Sequence, residues 1–107
     1  MPAGNCEEAA RQYQRSLDIR ERIGDQGGMA TGYGNLGVLA QDRGDYEEAA
    51  RQYQRSLDIR ERIGDQDGMA ASYHNLGILA QDRGDYEEAA RQYQRAPWTL
   101  ASGSADR

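Results

Sequence analysis

Residues 32 to 37 read Gly-Tyr-Gly-Asn-Leu-Gly. Their G-x-G-x-x-G spacing lets a backbone approach a dinucleotide pyrophosphate when it joins a strand to a helix. That chemistry also needs a buried strand before the first glycine and an acidic residue about twenty positions on, at the tip of a second strand. Three other features invite a chemical reading. Glu47 and Glu48, with copies at Glu7-Glu8 and Glu87-Glu88, look like acid/base pairs, but adjacent residues on a helix do not face one another. His74 is the only histidine and has no second histidine or cysteine beside it, which makes it a surface or groove residue rather than a metal ligand or catalytic base. Cys6 is the only cysteine, so an internal disulfide is excluded and soft ligands are too few for structural zinc. No nucleophile, base and orienting residue recur together. The sequence therefore predicts no enzyme, no cofactor and no metal.

The elements around these residues settle the glycine motif. Shifted by forty positions, the segment from Gly4 to Arg43 matches the segment from Gly44 to Arg83 except at seven positions, and a third copy runs unchanged from Gly84 to Arg95. Self-similarity at this period marks stacked supersecondary units that cannot bury their apolar faces alone. In the second copy the motif reads Ser-Tyr-His-Asn-Leu-Gly, so the repeat retains only Gly37 and Gly77. Nucleotide binding has no support.

Each unit holds two helical patterns. Met69, Ala70, Tyr73, Leu76, Gly77 and Ala80 recur at steps of three and four, which puts them on one face of a helix of a first kind. Tyr46, Ala49, Ala50, Tyr53 and Leu57 do the same on a second kind, with Ile59 and Ile63 as a second apolar edge able to touch another neighbour. The helices are expected at about 5–23, 28–42, 45–63, 68–82 and 85–96, leaving no strand candidate. Gly44, Gly64 and Gly84 stop helices. Asn5 with Glu8, Asp45 with Glu48 and Asp85 with Glu88 form capping boxes at helix starts. Glu47 with Arg51, and Asp58 with Arg62, are acid-to-base pairs one turn apart. Gly37 and Gly77 are expected where two helix backbones approach closely, and Gly32 and Gly34 should weaken their helix by about 1 kcal/mol each. Tyr13, Tyr33, Tyr53, Tyr73 and Tyr93 read as core with hydroxyls at the rim.

A net charge of −5 and arginines interleaved with acids argue against a nucleic-acid surface. There is no apolar run of bilayer length and no charged-then-apolar leader, so no membrane is implied and the expected location is cytoplasmic.

Tyr73, Leu76, Gly77 and Ala80, followed by Gly84, Tyr86, Ala89 and Tyr93, resemble the tetratricopeptide repeat over residues 4 to 95. The unit is longer than that family's common form and is similar to the long repeats of spindle-orientation adaptors and bacterial regulatory proteins. Ala40 and Ala80 depart from it where the family often has an aromatic residue. The resemblance implies an all-α, right-handed solenoid of antiparallel helix hairpins. Its concave wall, made of the first kind of helix, would hold a peptide segment of a partner protein. Asn35 and Asn75 would grip the peptide main chain. Gly34 and His74, Val38 and Ile78, Gln41 and Gln81, and Asp42 and Asp82 would share the wall, the aspartates favouring a basic ligand.

Pro97 is expected to end the last helix and residues 97 to 107 to be disordered. With GC-rich codons read one base earlier, Trp98 onward reproduces most of the segment from Leu57 to Gly64, as a frame-shifted repeat would. The chain then reads as a piece of a longer array with sticky terminal faces. The alternative to peptide binding is accordingly self-association into a homo-oligomer.

Overall fold

The computed structural model describes residues 3–95, with side chains from Glu7 onward; the expected tail lies outside the described residues. Five helices follow one another: α1 (Ala3–Ile23), α2 (Gln26–Asp42), α3 (Tyr46–Ile63), α4 (Gln66–Asp82) and α5 (Tyr86–Arg95). No strand occurs among the described residues. Each helix packs on its neighbours in sequence, α1 on α2, α2 on α3, α3 on α4 and α4 on α5. The result is a thin slab of 49 × 34 × 17 Å.

The chain reverses where glycine takes a left-handed conformation. Gly44 and Gly84 have φ of 80° and 82°, which costs residues with a Cβ energy that glycine avoids. The Gly44 amide donates to the Gln41 carbonyl at 2.9 Å and the Asp45 amide to the Ala40 carbonyl at 2.8 Å, so carbonyls of the last turn of α2 are satisfied. The next helix then starts on an aspartate. Asp45 accepts from the Glu48 amide at 3.3 Å, and Asp85 from the Glu88 amide at 3.1 Å.

Several local expectations change. Helices α2 and α4 begin about two residues early because Asp25 and Asp65 cap them, accepting from the Gly28 and Gly68 amides at 2.9 Å. Helix α1 already runs from Ala3, so Asn5 lies inside it rather than before its first turn. The capping boxes form only in one direction. The Asp45 amide is already taken by Ala40, and Glu48 turns outward to Arg51 at 2.6 Å and to Gln52. Arg51 therefore pairs with Glu48, three residues away, rather than Glu47, and Asp58 accepts from Gln54 at 2.9 Å. These hydrogen bonds hold the carboxyl of Glu48 below its ordinary range, Gln52 contributing most and Arg51 next.

The core lies between α2, α3 and α4, where Ala40, Ala49, Tyr53, Leu57, Leu76 and Leu79 are buried together. Burying a leucine stabilises by about 1.5–3 kcal/mol, and this cluster buries three, Leu57, Leu76 and Leu79. Gly37 and Gly77 serve it differently from expectation. A Cβ on Gly37 would stand 2.6 Å from two ring carbons of Tyr53, and one on Gly77 would stand 2.5 Å from the Tyr93 ring. The glycines seat an aromatic ring rather than a second backbone.

Candidate peptide-binding wall

On α2, Asn35, Val38 and Asp42 recur at steps of three and four and share one stripe; Asn75, Ile78 and Asp82 repeat it on α4. Val38, Asp42 and Asp82 are exposed, and Asn35, Asn75 and Ile78 are half-buried. Neither asparagine amide has a side-chain hydrogen bond among the described residues, so both keep a donor and an acceptor for another main chain.

The remaining expected wall residues sit at its edges. A Cβ on Gly34 would approach Ser56 of α3 at 3.9 Å, in ordinary contact, so this position faces the neighbouring helix. Its counterpart His74 leans on Tyr93 of α5, ring centroids 5.7 Å apart and tilted by 47°. Gln41 joins helices instead of standing free. Its amide nitrogen donates to Asp82 at 2.6 Å, and its amide oxygen accepts from the Tyr53 hydroxyl at 2.8 Å. Gln81 accepts from Tyr93 at 2.7 Å in the same way, but its amide nitrogen meets no acceptor among the described residues.

The Gln41–Asp82 bond links α2 directly to α4 at the ends of their two stripes. It also gathers negative charge around a buried phenol. Burial first, then the nearby Asp42 and Asp82 carboxylates, push the Tyr53 hydroxyl up to about 12. A cationic side chain arriving at this end of the wall would meet both aspartates.

Four tyrosines place their hydroxyls at the rim, as their spacing suggests. Besides Tyr53 and Tyr93, Tyr33 donates to Glu21 and Tyr73 to Glu61, each at 3.1 Å. Tyr13 departs from the set: it is exposed on α1.

The chain's sequence matches the tetratricopeptide-repeat family model over residues 1–62 and again over 28–96. The chain belongs to the tetratricopeptide-repeat family. Among solved structures, the tetratricopeptide-repeat domain of Arabidopsis FLU aligns with a TM-score of 0.79 at 23% identity, covering 91% of this chain and 82% of that one. BtubC from P. vanneervenii also aligns with a TM-score of 0.79, at 27% identity, covering 92% of this chain. This tetratricopeptide-repeat chain spans 41% of the BtubC chain, well under its whole length. No curated protein matches the sequence. The likeness establishes a helical repeat solenoid, and such repeats generally serve as protein-interaction modules.

Other structural residues were not visible as such in the sequence. Arg60 reaches from α3 into the start of α4, where its guanidinium donates to the Gly68 carbonyl and the Ser72 hydroxyl, both at 3.1 Å. A Cβ on Gly68 would fall 2.6 Å from the Arg60 side chain, so the glycine makes room for it. The available signal was that Arg60 and Gly68 recur in step as Arg20 and Gly28. Arg55, whose guanidinium carbon lies 5.5 Å from the Tyr33 ring centre, ties α3 to α2 by a cation–π contact.

Proposed function

We propose that this tetratricopeptide-repeat protein holds an extended, basic peptide segment of a partner protein along the stripes of α2 and α4. Asn35 and Asn75 bond the peptide main chain, Val38 and Ile78 cover its apolar side chains, and Asp42 and Asp82 receive its cations. The observation carrying this reading is the Gln41–Asp82 bond, because it aligns two copies of one stripe whose asparagine amides are uncommitted. A displayed peptide library selected on the chain tests it. Asn75→Ala should weaken the selected peptides by roughly tenfold, the loss of a buried main-chain hydrogen-bond pair, with the far-ultraviolet circular dichroism unchanged. Unchanged affinity in both Asn75→Ala and Asn35→Ala would reject the wall as the site.

A second reading, self-association, draws on the exposed Ile19, Ile23 and Tyr86 of the first and last described helices. Sedimentation showing a single monomeric species at high micromolar concentration would dispose of it.

A further inference from the structure

The two complete units differ at seven positions, five of which lie in α2 and α4. Gly27, Thr31, Gly34 and Val38 of α2 become Asp67, Ala71, His74 and Ile78 of α4. Steps of four, three and four place these residues on one flank of the helix, running through Val38 along the wall. None of the eight is buried, and only the buried pair Gly32 and Ser72 differs elsewhere on the two helices. Exposure does not account for the pattern. Arg11, Gln14, Arg15, Asp18, Glu21 and Arg22 are exposed on α1 and unchanged at the matching positions of α3, which are exposed too. Shared and varied residues of the wall divide by chemistry instead. Asn35, Gln41 and Asp42 recur as Asn75, Gln81 and Asp82, as a common grip on main chain and cation requires, whereas the varied residues set the bulk that a ligand side chain meets.

At Gly27, Gly34 and Val38 the residue of α2 is the smaller one, so its flank is the roomier. Gly34 makes the largest step. A Cβ there would meet nothing within 4 Å except the Ser56 hydroxyl, at 3.9 Å. That hydroxyl belongs to a residue 1% exposed and has no hydrogen-bond partner among the described residues. In the second unit the imidazole of His74 takes the matching place, its ring centre 5.7 Å from that of Tyr93. We propose that the flank at Gly34 receives an aromatic side chain of the bound peptide that carries an N–H, tryptophan or histidine, and that the flank at His74 takes a small residue. The inference rests on the peptide reading of the wall and gives that peptide a sequence. The ring fills the space that His74 fills in the other unit, and its N–H supplies the buried Ser56 hydroxyl with the donor it lacks.

Peptides enriched from a displayed library on the unmodified chain should carry tryptophan or histidine at one fixed position. The strongest is synthesised with that ring and with glycine in its place, and both forms are titrated against the chain and its Gly34→His variant. Gly34→His should weaken the parent peptide about tenfold or more and leave the glycine form within about twofold. A side chain has room at Gly34 within a helix, so the variant keeps its fold, which its melting temperature checks. Gly34→Ala is the milder variant and should show the same coupling at smaller size. Ser56→Ala should weaken the parent about fivefold and erase its advantage over a peptide with phenylalanine at the same position. Additive effects of the chain and peptide changes, enrichment of no aromatic residue, or equal affinity for the parent and its phenylalanine form would each overturn the proposal. Where Asn75→Ala still weakens binding in those cases, the wall stands and only the assignment of its flank falls. A library that enriches no peptide takes down both.

Discussion

Helices α1 and α3 have the same sequence from Glu7 to Ile23 and from Glu47 to Ile63, yet they do different work. Between two partners, α3 hides Tyr53, Ser56, Leu57 and Ile59; α1, which among the described residues packs on α2 alone, hides Leu17 and leaves Tyr13 and Ile19 exposed. The contrast separates what a residue is able to do from what its surroundings make it do. One tyrosine in the same local sequence is a core residue in one helix and an exposed one in the other.

The sharpest test of that contrast is paired truncation. Tyr53→Ala removes a buried ring and leaves a cavity over Gly37, and should cost about 3–5 kcal/mol in urea unfolding. Tyr13→Ala should cost under about 1 kcal/mol. Equal losses would mean that α1 is covered in solution.

Alkaline titration probes the same buried ring. The Tyr53 hydroxyl has its pKa raised from 10.0 to about 12 in the folded chain. The unfolded state therefore loses this proton first as pH rises. Stability from the neutral phenol is complete below about pH 10 and disappears as pH climbs through about 12, a loss of roughly 2 kcal/mol. Smaller losses of the same sign come from Tyr33 and Tyr73, whose hydroxyls burial also pushes up. Tyr53→Phe should abolish most of the pH dependence in chemical denaturation; an unchanged slope would deny Tyr53 its role.

The smallest expected effect concerns the two elbows. At the second, Arg60 donates to Ser72 of α4; at the first, position 32 is glycine, and Arg20 turns to Ser16 and Asp25, each at 3.2 Å. Gly32→Ser should give Arg20 the hydroxyl that Arg60 has and raise stability by about 1 kcal/mol, through the new bond and better helix propensity. A built Cβ meets the tip of Leu17 at 3.3 Å, so that side chain must give slightly. The buried Ser72 shows that the repeat accommodates a hydroxymethyl group at this position. A lower melting temperature would show that the first elbow is built differently.

Helix order, count and approximate ends were legible because apolar spacing, helix stops and the forty-residue self-match all agree. The Leu-Gly pair was legible as a close approach, but not its partner. Glycine in a helix records only that a side chain is unwelcome, and the ring of Tyr53 arrives from a helix sixteen positions on. The starts of α2 and α4 were misplaced because Asp25 and Asp65 have a glycine three positions on, where Asp45 has the glutamate of the box pattern. Arg60 reads in sequence as a solvated charge on a long stem. Its reach into α4 depends on Gly68 eight residues later, a relation that helical periodicity does not encode. The stripe of Asn35, Val38 and Asp42 was legible as a set, whereas Gly34 and Gln41 were grouped with it because spacing alone does not distinguish an open flank from one turned toward α3.

The contact of Gln41 with Asp82 has an evolutionary consequence. Both complete units contain the two halves of the clasp, the amide at its own position and the acid that the preceding unit's amide seeks. Duplication of a unit in the gene therefore supplies a matching fastener with each added module, and the array can lengthen without a new joint having to be invented.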